Sequence, residues 1–338
     1  SDYVVLVRGR SSIYLAGPPL VKAAIGEDAT DEELGGSQTH AEVTGLGEYL
    51  GENDAHAIAL ARELVDKLRW DAAPPAAHAD GPAYDAEELM GVVPADEREP
   101  YDVREVIARL VDGSDFLEFK PGFGADTPCG HARVDGHLVG ILGNNGPIQP
   151  AGANKAAQFI QLCDQSGTPL VFLQNTTGYM VGSAAERGGA IKHGAKMIQA
   201  VANARVAKFT FLIGGSFGAG NYGMCGRGFD PRFIFSWPNA RTAVMGGAQA
   251  GKVMEIVGAA KLARNGAPVD AEALAAMGAQ LRERIDRESH VLFGTARLWD
   301  DGILDPRDTR RVLALALALA HEADARTLRP NTFGIARF

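Results

Sequence analysis

The stretch Gly214–Gly226 (GGSFGAGNYGMCG) holds the residues with the most chemical promise in this sequence. Three readings compete for it. Gly214-Gly215-Ser216-Phe217-Gly218 satisfies G-x-S-x-G at the end of a strand pattern, the setting of a serine nucleophile elbow. Asp230 and His290 or His321 follow in the order such a triad needs. The overlapping Gly218–Gly223 spells G-x-G-x-x-G, a dinucleotide fingerprint that requires an acidic residue about 20 positions on. Residues 238–249 contain neither Asp nor Glu, so that reading falls. In the third, the loop is an oxyanion hole of backbone. Gly and Ala leave amide N–H groups uncovered at the entry to a helix, where they stabilise an anion. A tight turn that takes glycine only for its backbone angles would look the same.

The elements that must aim this loop alternate along the chain. Gly136–Gly143 (GHLVGILG) reads as a buried strand, Lys155–Asp164 (KAAQFIQLCD) as an amphipathic helix, and Pro169–Gln174 (PLVFLQ) as a second buried strand. A first glycine-rich loop, Asn175–Gly182 (NTTGYMVG), precedes a helix from Glu186 to Ala204 and the strand Lys208–Ile213 (KFTFLI). The strand Arg232–Trp237 (RFIFSW) follows the second loop. This alternation predicts an α/β fold with parallel strands whose loops open at one edge. Tyr101–Phe116 reads as a short helix. Val312–Ala320 (VLALALALA) alternates with period two, yet Leu and Ala favour helix and Asp305-Pro306 signals a helix start, so a helix is expected. Upstream, Asn53–Trp70 has helical spacing, and residues 74–100, rich in Ala, Pro, Asp and Glu, read as a linker. The chain thus divides into residues 1–73 and a larger unit, 101–338.

Composition narrows the partners. With 33 basic against 42 acidic residues the net charge is −9, so nucleic acid is not expected as a partner. An anionic ligand needs locally arranged amides or cations. The longest apolar run, Val312–Ala320, is far short of the roughly 20 residues of a membrane helix. Cys129, Cys163 and Cys225 have no metal-ligand spacing, so no metal is expected, and a reducing cytoplasm suits them. The opening residues, SDYVVLVRGR, read like the middle of a strand, as if more chain lay upstream.

The residues Ile213–Gly247 (IGGSFGAGNYGMCGRGFDPRFIFSWPNARTAVMGG) closely resemble the carboxyltransferase β subunits of biotin-dependent acyl-CoA carboxylases. The likeness extends to LQNTTGYMVG, GGAIKHGAKMIQAVANA, SSIYLAGPPLVKAA with ELGGSQTH, LDPRDTRRVL and NTFGIARF, in order over nearly the whole chain. It implies a crotonase-like fold of two tandem domains. Residues 1–73 would be the last part of the first, acyl-CoA, domain, and 101–338 the whole second, biotin, domain. Much of the acyl-CoA site, with that domain's own oxyanion hole, would lie upstream of Ser1.

The resemblance also implies a reaction. Carboxybiotin, borne by a biotin carboxylase/biotin carboxyl carrier subunit, releases CO2, and the biotin anion takes a proton from the acyl-CoA, whose enolate attacks the CO2. The amides of Ala219 and Gly220 match the family's hole for the biotin oxygen. Phe217, Gly218, Gly178 and Gly182 would shape the biotin pocket, with Gly17, Pro18, Pro19 and Tyr222 on the acyl-CoA side. His193 and Lys196 match the family's HGAK, though as residues they read as a structural helix histidine and a solvated lysine. A cofactor acting as its own base asks no general base of the protein, and Gly214–Gly226 contains no Asp, Glu, His or Lys. A hexamer is implied, the first domain of one subunit facing the second of another.

NYGMCGR and SWPNAR point to 3-methylcrotonyl-CoA as substrate; NTTGYMVG and IKHGAKMIQAVANA resemble geranyl-CoA carboxylases at least as well. The propionyl-CoA branch typically reads YGGAYD where this chain has FGAGNY, so Tyr222 replaces an acidic residue. GNNGPIQPAGANK (Gly143–Lys155) departs from the family's GNNGVLFSESALK. Readings of other classes are a serine hydrolase at Ser216 and a non-catalytic scaffold that docks the biotin carrier.

Overall fold

The computed structural model describes residues 2–68, 80–94, 99–266 and 268–326, which form two sheets. The smaller is a parallel pair, β1 (Val5–Val7) against β2 (Tyr49–Gly51). Between them runs α1 (Pro18–Ile25), begun by two prolines and stopped by Gly26 at φ 75°, a left-handed angle that glycine adopts without strain. After β2 comes α2 (Asp54–Asp66), capped by Asn53, whose side chain accepts the His56 N–H. Residues 69 and 70 of the expected helix lie outside the described ones.

The larger sheet has seven strands. β3 (Phe116–Glu118), β4 (Cys129–Val134) and β5 (His137–Gly143) are antiparallel. From β5 the sheet continues in parallel through β6 (Leu170–Thr176), β7 (Lys208–Phe217) and β8 (Phe233–Ser236). β7 pairs twice on one side, through Phe209–Leu212 with β8 and through Gly215–Phe217 with β9 (Arg241–Ala243). The crossover helices α3 (Pro150–Ser166) and α4 (Ala190–Asn203) cover one face. A helical hairpin, α5 (Gly247–Arg264) and α6 (Ala271–Glu288), follows β9. The last helix among the described residues, α7 (Thr309–Ala325), covers the other face together with the short helix Val103–Ala108.

Burial on both faces explains the sequence of β6. Leu170 and Phe172 pack towards α3 and α4, Val171 and Leu173 towards α7, and none is more than 1% exposed. Each such side chain stabilises the fold by about 1.5–3 kcal/mol. At Gly140 of β5 an added Cβ would lie 2.5 Å from Cys163 Sγ, so glycine lets α3 approach the sheet. In α7, Leu313, Ala316, Leu317 and Ala320 point inward while Leu315 and Leu319 face out. Helical spacing, not the period of two, decides which leucines are buried. Trp237 Nε1 donates to Thr309 Oγ1 at 2.9 Å and ties β8 to the start of α7.

Several expectations change. The helix expected over Glu186–Ala204 is broken into Ser183–Arg187 and α4 by Gly188-Gly189, with Gly189 at φ 85°. Only Val103–Ala108 of the stretch Tyr101–Phe116 is helical, and Phe116 opens β3. Within residues 74–100, Leu89 is 1% exposed in the core of the larger sheet. The run NTFGIARF lies outside the described residues.

The small sheet docks beside β3, where Tyr49 and Leu64 pack on Leu117. At this seam Lys120 Nζ and Glu48 Oε1 form a buried ion pair at 3.1 Å, the side chains 5% and 4% exposed. Glu48 Oε2 accepts the Val4 N–H at 2.6 Å, and Gln158 bonds both partners. Lys120 also donates to the Gly45 carbonyl. The charges of both Lys120 and Glu48 are answered, as burial of charge demands.

Candidate active site

β6 and β7 end side by side, and the loops that leave them touch. The register passes from Gln174↔Leu212 to Thr176↔Ser216, so three residues of β7 lie opposite Asn175 alone. This bulge bends the strand end and frees the Gly215 N–H, which donates to Asn175 Oδ1 at 3.0 Å. β7 therefore runs on through Phe217, further than the expected Ile213. Gly218 follows at φ 56°, then Ala219, then a single helical turn, Gly220–Gly223.

The first loop is pinned in place. The Ile148 N–H donates to Gly178 O at 3.0 Å, the Met180 N–H donates to Ile148 O at 2.9 Å, and the Gly178 N–H donates to Thr176 Oγ1 at 3.1 Å. Tyr179 wedges between α4 and the second loop. Added side-chain carbons at Gly194 and Gly223 would lie 3.2 and 2.3 Å from its ring and hydroxyl. A Cβ on Gly220 would sit 2.8 Å from Thr176 Cγ2 and 2.9 Å from Gly178 Cα. The two loops can come this close because position 220 has no Cβ, while Gly178, at φ 121°, takes a backbone angle that favours glycine.

Among the described residues neither the Ala219 nor the Gly220 N–H has a partner. They are consecutive donors without a partner, Ala219 exposed and Gly220 buried, at the carboxyl edge of the parallel strands, where open α/β sheets bind ligands. The helix they enter is one turn long, so the expected dipole contribution is slight and the donors themselves define the site. Phe217 and Gly218 are half-buried beside them. Val181, Ile191, Tyr222 and Val244 form an exposed apolar rim, and Tyr222 leans on Phe229 with ring centroids 5.6 Å apart.

Gly178, Gly182, Phe217, Gly218, Ala219, Gly220 and Tyr222 are therefore brought together. Gly17, Pro18 and Pro19 belong to the other sheet's segment, at the first turn of α1, and make no hydrogen bond to these loops. His193 lies on α4, its pKa lowered by burial and by Lys196 and Lys192; a neutral ring is favoured there. Sequence reading passed over Asn175, Thr176, Tyr179 and Asn221, although all four stand inside the motifs it quoted.

The hydrolase reading is overturned. Ser216 lies within β7 rather than on an elbow, is fully buried, and its hydroxyl accepts from Asn221 Nδ2 at 2.7 Å. His290 caps the short helix Val291–Thr295, and His321 lies edge-on to His137; neither bonds to Ser216. Among the described residues no three His, Cys, Asp or Glu side chains gather as a metal site, and no helix is long and apolar enough to cross a membrane.

A search of known proteins gives this geometry a family. Residues 1–334 match the family described as Carboxyl transferase domain. The biotin-dependent 3-methylcrotonyl-coenzyme A carboxylase beta1 subunit of Mycobacterium tuberculosis is 48% identical over 96% of this chain and 61% of its own length. The crystal structure of the Pseudomonas aeruginosa geranyl-CoA carboxylase beta subunit, described as P. aeruginosa GCC, is 59% identical with a TM-score of 0.73, covering 100% of this chain and 63% of that one. A transcarboxylase 12S structure, reported as a hexamer assembly, is 32% identical with a TM-score of 0.82, covering 99% and 64%. The chain thus spans about three-fifths of the length of the relatives it matches. Its α/β architecture is crotonase-like, and the chain belongs to the carboxyl transferase domain family.

Proposed function

We propose that this chain contributes the biotin half of a carboxyltransferase site that moves a carboxyl group from carboxybiotin to a 3-methyl-2-enoyl-CoA. The observation that carries the reading is the pair of partnerless amides, Ala219 and Gly220, in a loop free of acid and base side chains within a member of this family. Biotin, held by a biotin carboxylase/biotin carboxyl carrier subunit, supplies the carboxyl group and then the base. The amides fit its ureido oxygen. A Cβ on Gly220 would strike Thr176 and Gly178, so glycine keeps that amide bare of a side chain, and two adjacent N–H donors can stabilise charge that develops in the transition state. Phe217 and Gly218 wall the pocket, Gly178 and Gly182 shape the facing loop, and the apolar rim excludes water.

On the acyl-CoA side we place Tyr222 and, from the first segment, Gly17, Pro18 and Pro19. Residues 1–73 are read as the end of an acyl-CoA domain and 101–338 as a biotin domain. In a hexamer like that of the 12S relative, the exposed rim of one subunit would meet the first domain of another. The buried free thiols Cys129, Cys163 and Cys225 suit the cytoplasm. Geranyl and 3-methylcrotonyl thioesters share the 3-methyl-2-enoyl head, whose γ proton is acidified by conjugation to the thioester. NYGMCGR and SWPNAR point to the methylcrotonyl substrate, whereas NTTGYMVG, IKHGAKMIQAVANA and the identity of 59% against 48% favour the geranyl one.

The test is carboxylation of a panel of acyl-CoAs by the full-length subunit assembled with its biotin-bearing partner, read as bicarbonate incorporation. Geranyl- and 3-methylcrotonyl-CoA should be accepted and propionyl-CoA refused. No incorporation into any thioester, in an assembled complex whose biotin becomes carboxylated, would leave only the scaffold reading.

A further inference from the structure

The loop with the two free amides is strung like a bow. Its ends are Ser216, the last fully buried residue of β7, and Asn221, on the single helical turn. The Asn221 Nδ2 to Ser216 Oγ hydrogen bond, 2.7 Å long, is the string. The arc it subtends is Phe217, Gly218, Ala219 and Gly220. Asn221 is itself fixed, because its carbonyl accepts the Gly226 N–H at 2.8 Å and its side chain occupies the space where a Cβ on Gly226 would fall. On the other side, the Gly215 N–H is held by Asn175. The arc, with Gly218 at φ 56°, is also held from within, by the Gly218 N–H on Ala243 O at 3.0 Å and the Asn221 N–H on Gly218 O at 3.2 Å, so the string fixes where its two ends stand.

We propose that Ser216 and Asn221 are positioning residues for carboxyl transfer, setting the Ala219 and Gly220 N–H groups on a single anion. This rests on the function proposed above. It also gives Ser216 a role in place of the nucleophile its motif announced: the hydroxyl is an acceptor in a brace, not an attacking group.

The experiment uses the full-length subunit assembled with its biotin-bearing partner and compares Ser216→Ala, Asn221→Ala and the double variant. Each single change should lower kcat on the order of 10- to 100-fold, the penalty for a small misplacement of catalytic groups. KM for acyl-CoA should stay within about twofold. The double variant should lose no more than the worse single one, because both break the same bond. Amide hydrogen exchange should speed up across residues 217–223 and be unchanged in β6. Near wild-type kcat in an assembled single variant, or losses that multiply in the double, would overturn the proposal. If Ser216→Ala fails to assemble, Asn221→Ser at the half-buried end of the bond reads the same brace, with the same two outcomes. If the wild-type complex transfers no carboxyl group, the function reading fails instead, and the brace still stands or falls on exchange at 217–223.

Discussion

The two sheets bury themselves to very different degrees. The seven-stranded one has apolar clusters on both faces and a strand, β6, whose inward-facing residues on either side are at most 1% exposed. The two-stranded one is flanked by α1, which buries none of its residues, and Leu15, Leu20, Ile25 and Val43 all stand exposed. An apolar helix without a buried face, among other exposed apolar groups, adds little core to this sheet. The larger unit completes its own core and can hold two glycine loops together at its strand ends. The smaller depends on what covers it, and on the seam where it meets the larger.

The seam offers the hardest blow to this contrast. Lys120→Met removes one partner of a buried ion pair and leaves Glu48 without its cation, so unfolding free energy should drop by about 3–5 kcal/mol. Urea denaturation measures it, and a loss below about 1 kcal/mol would mean that the small sheet is only loosely attached. Gly220→Pro acts in the larger unit without touching the seam. It deletes a donor and puts a ring where Thr176 and Gly178 already stand, so transfer should fall about 10²–10³-fold in a complex whose biotin is still carboxylated. An assembled Gly220→Pro enzyme near wild-type rate would remove the amides from the site.

A third prediction probes the core by pH. His131 is 1% exposed on β4, and burial, with a smaller effect of Lys67, lowers its pKa from 6.5 to about 4. The folded state favours the neutral ring, so its contribution is intact above pH 6.5 and declines as the pH falls towards 4, by about 3 kcal/mol in all. His131→Gln should remove that share of the acid lability; identical pH profiles for the two proteins would refute it. The smallest effect belongs to the open helix. Leu20→Gln, at a residue 60% exposed, should change the chain's own stability by no more than about 0.5 kcal/mol, measured by thermal unfolding. A larger loss would show that α1 is packed after all.

Much of this architecture was legible in the sequence because the larger unit obeys simple periods. PLVFLQ and KFTFLI are strands whose both faces are buried, and continuous apolar runs announce that. The strand CGHARV of β4 escaped notice because its alternation is broken by glycine and histidine, and His131 is buried by its neighbours rather than by its own chemistry. The hairpin of α5 and α6 also went unread; among the buried residues of these two helices, glycine, alanine and a single leucine give little periodic signal. At the site, the glycines were visible and their proximity was not. That Gly178 and Gly220 abut depends on a register shift opposite Asn175, which no local pattern encodes. G-x-S-x-G could offer only a rival reading, because the motif specifies residues but not the strand that extends through them.

The ionic seam has a consequence for how the chain could be divided. A cut ahead of residue 80 would leave Lys120 and Gln158 on one piece and Gly45 and Glu48 on the other. Neither half could hydrate its stranded groups without also wetting Tyr49, Leu64 and Leu117. Parting the two pieces would therefore expose the stranded charges and the apolar seam to water together.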